Sequence, residues 1–193
     1  MPRNCKGNPY MRVITGSARG RRLETLSGND VRPTTDVVKE AVFSIIQFYT
    51  EGRCFLDAFA GSGQMGIEAL SRGAEKAVFL DSSRRSMSVI KKNISLCGFS
   101  DRAETLITDT VSFLSSTGMC FDTVFLDPPY NTGLLEQALA AAPRVMKPGG
   151  FIICEHPREE KLPESSGGFR LKKSYRYGKI MISVYTDEKP QND

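Results

Sequence analysis

Between Cys54 and Thr186 short apolar runs alternate with longer segments whose apolar residues return every three or four positions. The runs RCFLDAFA, KAVFLD, AETLIT, FDTVFLD and GFIICE predict strands buried on both faces, since they are short, nearly continuous and rich in branched or aromatic side chains. MGIEALSRG, SMSVIKKNISLCG, VSFLSST and LLEQALAAAPRVM predict helices, the first closed by Gly73 and the second by Gly98. Ahead of them, VRPTTDVVKEAVFSIIQFY sets Val38, Ala41, Val42, Ile45 and Tyr49 at helical spacing, with Thr35 or Asp36 as the N-cap. Residues 11–26, MRVITGSARGRRLETL, alternate loosely around Gly16 and Gly20 and predict a small hairpin. FRLKKSYRYGKIMISVY predicts two strands joined at Gly178, too tightly connected to be parallel, so this pair should add an antiparallel strand at the sheet edge.

Strands alternating with helices predict an α/β fold: a mostly parallel, doubly wound sheet covered on both faces, with ligands at the carboxyl ends of the central strands. The expected organisation is an extension at 1–10, a basic hairpin at 11–30, one domain at 31–187 and a tail at 188–193. The patterned sequence begins at Met11, which makes that methionine a candidate start. A chain of 193 residues can bury roughly 70% of its unfolded surface, enough for a substantial core.

The net charge of +4 matters less than where it sits. No acidic residue precedes Glu24, whereas Arg3, Lys6, Arg12, Arg19, Arg21 and Arg22 do. A second basic cluster comprises Arg170, Lys172, Lys173, Arg176 and Lys179. Either is a solvated face or the footprint of a polyanion, and two together favour the polyanion. The cysteines (Cys5, Cys54, Cys97, Cys120 and Cys154) are scattered without a C-x-x-C pair, as expected of thiols in a reducing compartment. MPRNCKGNPY has no apolar leader core and no stretch is long enough to span a bilayer, so the expected location is the cytoplasm.

The first of these strands runs into DAFAGSGQMG, where Gly61, Gly63 and Gly66 open a helix. Such a loop lets the backbone turn sharply and approach a ligand, although a βα turn without a ligand uses the same residues. Asp81 closes the second strand about 20 residues further on, where a nucleoside site places an acid on the ribose hydroxyls. Asp81 could equally cap the next helix. Asp57, Asp81, Asp109 and Asp127 all fall at strand ends on one edge of the sheet, and the set reads as a polar site. A nicotinamide enzyme would need further catalytic machinery; the single histidine, His156, reads as a surface loop residue.

FLDPPYNT, residues 125–132, supplies the missing chemistry. Asp127 offers carboxylate oxygens and Pro128 a carbonyl, with Pro128 and Pro129 fixing their directions, and Tyr130 offers a flat face. Two acceptors suit the two N–H bonds of a planar amino group while the ring stacks on its base. Positioning alone could supply roughly 7–11 kcal/mol of such a reaction's barrier at best.

These features together resemble S-adenosylmethionine-dependent amino-methyltransferases with a Rossmann-like fold. MRVITGSARGRRL, RPTTDVVKEAVFSII, FLDAFAGSGQMGIEALSRGA and FLDPPY resemble the bacterial small-subunit ribosomal RNA guanine-N2 methyltransferases, the RsmD type, from Met11 to about Tyr185. The resemblance implies roles for individual residues. The backbone of Asp57, Ala58, Phe59, Ala60, Gly61 and Gly63 would surround the methionine and ribose of the cofactor. Asp81 would hold the ribose hydroxyls, and Asp109 with the Thr110 backbone would face the adenine amine. Arg32 and Thr34 would close over the methionine end. Asp127, Pro128, Pro129 and Tyr130 would hold the guanine N2 amine and stack on its base. Arg12, Arg19, Arg21 and Arg22, joined by Lys172 and Lys173, would contact RNA phosphates. Gln64 departs from the pattern, being bulkier than the small residue expected there, and the first ten residues are extra.

The implied reaction is an in-line displacement at the sulfonium methyl by a flipped-out guanine, with no metal. The implied partner is small-subunit ribosomal RNA within an assembled or assembling 30S particle, met by a monomer. The alternatives are a DNA adenine-N6 methyltransferase, whose catalytic loop would be the same, and a non-catalytic RNA-binding assembly factor. A protein glutamine methyltransferase would carry Asn-Pro-Pro-Tyr where this chain has Asp127.

Overall fold

A computed structural model describes residues 11–26 and 36–187. Its parallel strands are β1 (Cys54–Asp57), β2 (Lys76–Asp81), β3 (Ala103–Ile107), β4 (Phe121–Leu126) and β5 (Met146–Pro157). Three further strands follow: β6 (Ser165–Ser166), β7 (Phe169–Tyr177) and β8 (Ile180–Thr186). They form one sheet in the order β3-β2-β1-β4-β5-β8-β7-β6. The chain winds outward from β1 through β2 to β3, then returns to lay β4 and β5 on the other side of β1. The direction of winding therefore switches between β1 and β4, which is where open α/β sheets bind ligands. β8 inserts antiparallel between β5 and β7, so the expected hairpin extends this edge.

The helices are α1 (Asp36–Ile45), α2 (Gln64–Ser71), α3 (Arg84–Cys97), α4 (Thr110–Ser116) and α5 (Leu134–Ala141). Three boundaries differ from expectation. α1 ends at Ile45, and its buried residues include Val38, Val42 and Phe43; Tyr49 lies beyond the helix and packs on Phe151, ring centroids 4.9 Å apart. α5 gives way at Ala142 to a 3₁₀ turn (Ala142–Val145), because Pro143 cannot donate to a continuing helix. β5 begins before Phe151 and runs on through Glu155 and His156, since β8 pairs with it all the way to Pro157.

Every residue of α2 is buried, although its sequence is amphipathic. The N-terminal hairpin covers its outer side. That hairpin is an Arg12–Arg22 bridge with Val13 donating to the Arg21 carbonyl and Leu23 to the Met11 carbonyl, both at 2.9 Å. Its turn rests on the end of α2, where Ser17 donates to the Ser71 carbonyl at 2.8 Å. Gly16 (φ 85°) sits so close that a Cβ there would lie 1.8 Å from the Ser71 carbonyl oxygen. Deep in α2, Glu68 accepts the Ile14 N–H at 2.8 Å and the Thr15 N–H at 3.0 Å, and pairs with Arg72 at 2.8 Å. The fully buried Lys39 of α1 donates to the Arg12 carbonyl at 2.6 Å; burial lowers its pKa against the opposing pull of Asp36 and Glu68. No described helix is long and apolar enough to cross a membrane.

Candidate active site

A cleft of about 440 Å³ opens at the carboxyl ends of β1, β2, β3 and β4. Asp57, Asp81, Asp109 and Asp127 all line it, as does the loop Pro128–Pro129–Tyr130. The open end of the hairpin contributes Thr25 and Leu26, which nothing in the sequence singled out.

β1 delivers the glycine loop. Gly63 takes φ 80° immediately before α2, a left-handed value that costs glycine nothing. Gly66 has a different reason: a Cβ there would lie 2.3 Å from the Phe79 ring, so this glycine serves helix–sheet packing. Phe59, Ala60 and Gly61 line the cleft. Ala58 is fully buried, its carbonyl accepting the Thr110 hydroxyl, and Gly63 turns inward to donate to the Ala60 carbonyl at 2.6 Å. Gln64, bulkier than expected, is tucked into the cleft wall as a buried residue.

The acids divide their work. Asp81 does not cap α3; Ser83 does, its hydroxyl accepting the Ser86 N–H. Asp81 instead accepts the Gly61 N–H at 2.9 Å on one oxygen and the Ser83 N–H at 2.8 Å on the other. It thereby ties the glycine loop to the end of β2, while each oxygen keeps a second lone pair. Asp109 is the N-cap of α4 and accepts the Ser112 N–H at 2.8 Å; that bond holds its pKa below the usual value. Asp109 thus caps a helix and also borders the cleft. Asp57 accepts the Gly66 N–H at 2.9 Å and is pushed up to about 7, chiefly by burial, with the Gly66 bond opposing and Asp81 adding.

Asp127 stands just past β4, half-buried. Its pKa is raised well above its ordinary value by burial, then by the charges of Glu155 and Asp57. The Pro129 carbonyl accepts the Thr132 hydroxyl at 2.7 Å, which ties the loop to the turn that follows it. Asn131 at φ 61° and Gly133 at φ 72° turn the chain sharply into α5. Tyr130 is 40% exposed, and its hydroxyl lies 3.5 Å from a Glu155 carboxylate oxygen.

Two sequence readings need revision here. His156 is no surface residue: it is buried in β5, with Nε2 2.9 Å from the Ser183 hydroxyl and Nδ1 3.0 Å from the Pro157 carbonyl. Glu155, overlooked in the sequence, is 3% exposed and is a fifth acid on this edge, held inside β5 one residue past the position opposite the end of β4. The signal was present, since GFIIC followed by Glu repeats the pattern of KAVFL and FDTVFL followed by Asp.

The basic residues occupy two regions. Arg19, Arg21 and Arg22 are exposed on the hairpin, and Arg12 pairs with Asp36 at 3.4 Å. Lys172 and Lys173 are exposed on β7, four strand positions from β1, or roughly 19 Å at ordinary strand spacing. Lys173 lies over the Tyr175 ring, 4.9 Å from its centroid. Arg32 and Thr34 lie outside the described residues.

Residues 11–186 match the model of a family described as "Conserved hypothetical protein 95". A Bacillus subtilis protein named "Putative rRNA methyltransferase YlbH" is 38% identical over 91% of this chain and 98% of its own length. The "Ribosomal RNA small subunit methyltransferase D" of Haemophilus influenzae is 38% identical over 82% of this chain and 84% of its own. The chain belongs to this family. A solved structure titled "Putative methyltransferase yhhF from Escherichia coli" superposes with a TM-score of 0.82 at 31% identity, covering 91% of this chain and 97% of that one. The mostly parallel Rossmann-like sheet with its antiparallel carboxyl-terminal strands is thus the fold of the family.

Proposed function

We propose that this member of the RsmD-type family transfers a methyl group from S-adenosylmethionine to the N2 amine of one guanine in small-subunit ribosomal RNA. The observation that carries the reading is the meeting of Asp57, Asp81, Asp109 and the Asp127–Tyr130 loop around one cleft.

The cleft's residues fit the donor. Its volume of about 440 Å³ falls within the range of small-molecule sites, roughly 300–1,000 Å³. A Cβ on Gly61 would meet nothing within 4 Å, so the loop borders open space. The lone pairs left on Asp81 suit two ribose hydroxyls, and Asp109, which borders the cleft, would receive the adenine amine. Asp57, with the backbone of Phe59, Ala60 and Gly61, would hold the methionine part, closed over by Arg32 and Thr34; Ala58 and Gly63 do not line the cleft and would shape the loop from behind. Bound there, S-adenosylmethionine would supply a methyl group already activated by a positively charged sulfur.

The chain's own contribution is to hold the amine and its proton. Asp127 and the Pro128 carbonyl accept the two N–H bonds of the target amine, and the Tyr130 ring supports its base. A cation beside Asp57 and Asp127 favours their ionised forms, as required of an acceptor. As the amine nitrogen becomes cationic, one N–H bond breaks and its proton passes to an Asp127 carboxylate oxygen, whose buried setting makes it a competent base. Arg19, Arg21 and Arg22 of the hairpin, with Lys172 and Lys173, would meet phosphates, and much of the site selection would come from RNA or particle shape.

Asp127→Ala tests this division of labour. Methyl transfer should fall by roughly 10²–10⁴-fold, while S-adenosylmethionine binding measured by calorimetry persists. Near-normal turnover in that variant would overturn the mechanism.

A further inference from the structure

The acceptor Asp127 does not act alone in its setting. β4 and β5 are parallel neighbours in register, Phe125 opposite Ile153 and Leu126 opposite Cys154. The next step of that register sets Asp127 beside Glu155. Asp57, opposite Phe125 on the other neighbour of β4, lies two residues back along the strand, on the same face of the pleat. Glu155 is almost wholly buried behind the loop, does not line the cleft, and has an oxygen 3.5 Å from the Tyr130 hydroxyl. One side chain therefore touches the stacking residue and flanks the acceptor, from a rigid strand rather than from the loop.

We propose that Glu155 is a positioning residue for the proposed methyl transfer: from β5 it orients the Tyr130 ring and, ionised beside Asp127, makes Asp127 the stronger acceptor for the target amine and its proton. The inference rests on the methyltransferase reading, because it concerns the residues that would hold the base. Among the described residues two charged groups act on Asp127, Glu155 from β5 and Asp57 from β1, while the Tyr130 hydroxyl of its own loop turns to Glu155. Among them Glu155 is the larger of the two charges that raise the proton affinity of Asp127. Two carboxylates this close titrate as a pair, so the acid limb of the activity profile belongs to both.

Glu155→Gln keeps the size of the side chain and a hydrogen-bond acceptor for Tyr130 but removes the charge. Asp127 then gives up its proton at lower pH. The acid limb of kcat/KM against pH should move down by about one unit, and the plateau rate should fall as the weaker base loses effectiveness. Tyr130→Phe removes the hydroxyl contact and leaves the carboxylate pair; its acid limb should stay in place while KM for RNA rises. Glu155→Asp should restore part of the shift.

A second readout needs no turnover. The ¹³C carboxyl signal of Asp127, followed against pH in cofactor-free protein, should show a lower midpoint in Glu155→Gln than in the natural sequence. If both the acid limb and the carboxyl midpoint stay where they are, Glu155 has no part in tuning Asp127 and the proposal fails. Wild-type protein that binds no S-adenosylmethionine and methylates no RNA would overturn the functional reading instead, and the carboxyl titration would still decide the coupling.

Discussion

Glu68, fully buried in α2, accepts the backbone N–H groups of both Ile14 and Thr15 with its two oxygens. One carboxylate thereby fixes the basic hairpin against the helix that begins at the glycine loop. Removing it strands two donors and leaves Arg72 without its partner. Glu68→Ala should cost about 3–5 kcal/mol, which for a chain of this length lowers Tm by roughly 10 °C. Thermal and urea denaturation check this, and a loss below about 1 kcal/mol would mean that the Glu68 bonds do little to hold the hairpin.

The glycine at position 66 separates packing from ligand binding. Its missing Cβ makes room for the Phe79 ring. Gly66→Ala should lose about 1–3 kcal/mol of stability through overpacking. Combining it with Phe79→Leu should cost less than the sum of the two single changes, since the smaller side chain vacates the contact. Strict additivity in that double-mutant cycle would count against the contact.

Asp57 gives stability a pH dependence of definite sign. Its folded-state pKa is raised to about 7, so between the unfolded value near 3.8 and about 7 the folded protein binds the extra proton. Its contribution is therefore complete at low pH and lost as pH rises toward about 7. Asp57→Asn keeps an oxygen for the Gly66 N–H and removes this dependence. Denaturation at pH 5, 6, 7 and 8 should show the variant gaining on the natural sequence as pH rises. An unchanged difference across that range would contradict the burial of the charge.

The exposed arginines of the hairpin make a prediction about salt. If Arg19 and Arg21 each neutralise one phosphate, changing either to Ala should reduce the slope of log K against log salt by about 1 without altering cofactor binding. Lys172 and Lys173 on β7 should act likewise if the RNA reaches both regions.

The alternation of strands and helices was legible in the sequence because buried parallel strands write themselves as short apolar runs closed by turn residues. Asp57, Asp81, Asp109 and Asp127 were legible for the same reason: a strand end in a parallel sheet is a fixed place. Less visible was what tertiary contact alone decides. His156 looked like a loop residue because β8, far along the chain, is what extends β5 past Cys154. Glu155 shared the linear pattern of the other acids, but its place beside Asp127 comes from the β4–β5 register, which that pattern does not express. Glu68 was not singled out in the sequence, since its burial depends on a hairpin more than fifty positions upstream. Gly66 read as a ligand-loop glycine, whereas its constraint comes from Phe79 on the next strand.

The most direct test supplies labelled S-adenosylmethionine and small ribosomal subunits from cells lacking this protein, then digests the RNA to nucleosides. The account predicts label in N2-methylguanosine at a single position, absent with Asp127→Ala. Label in methyladenine or methylcytosine, or none at all despite cofactor binding, would contradict it.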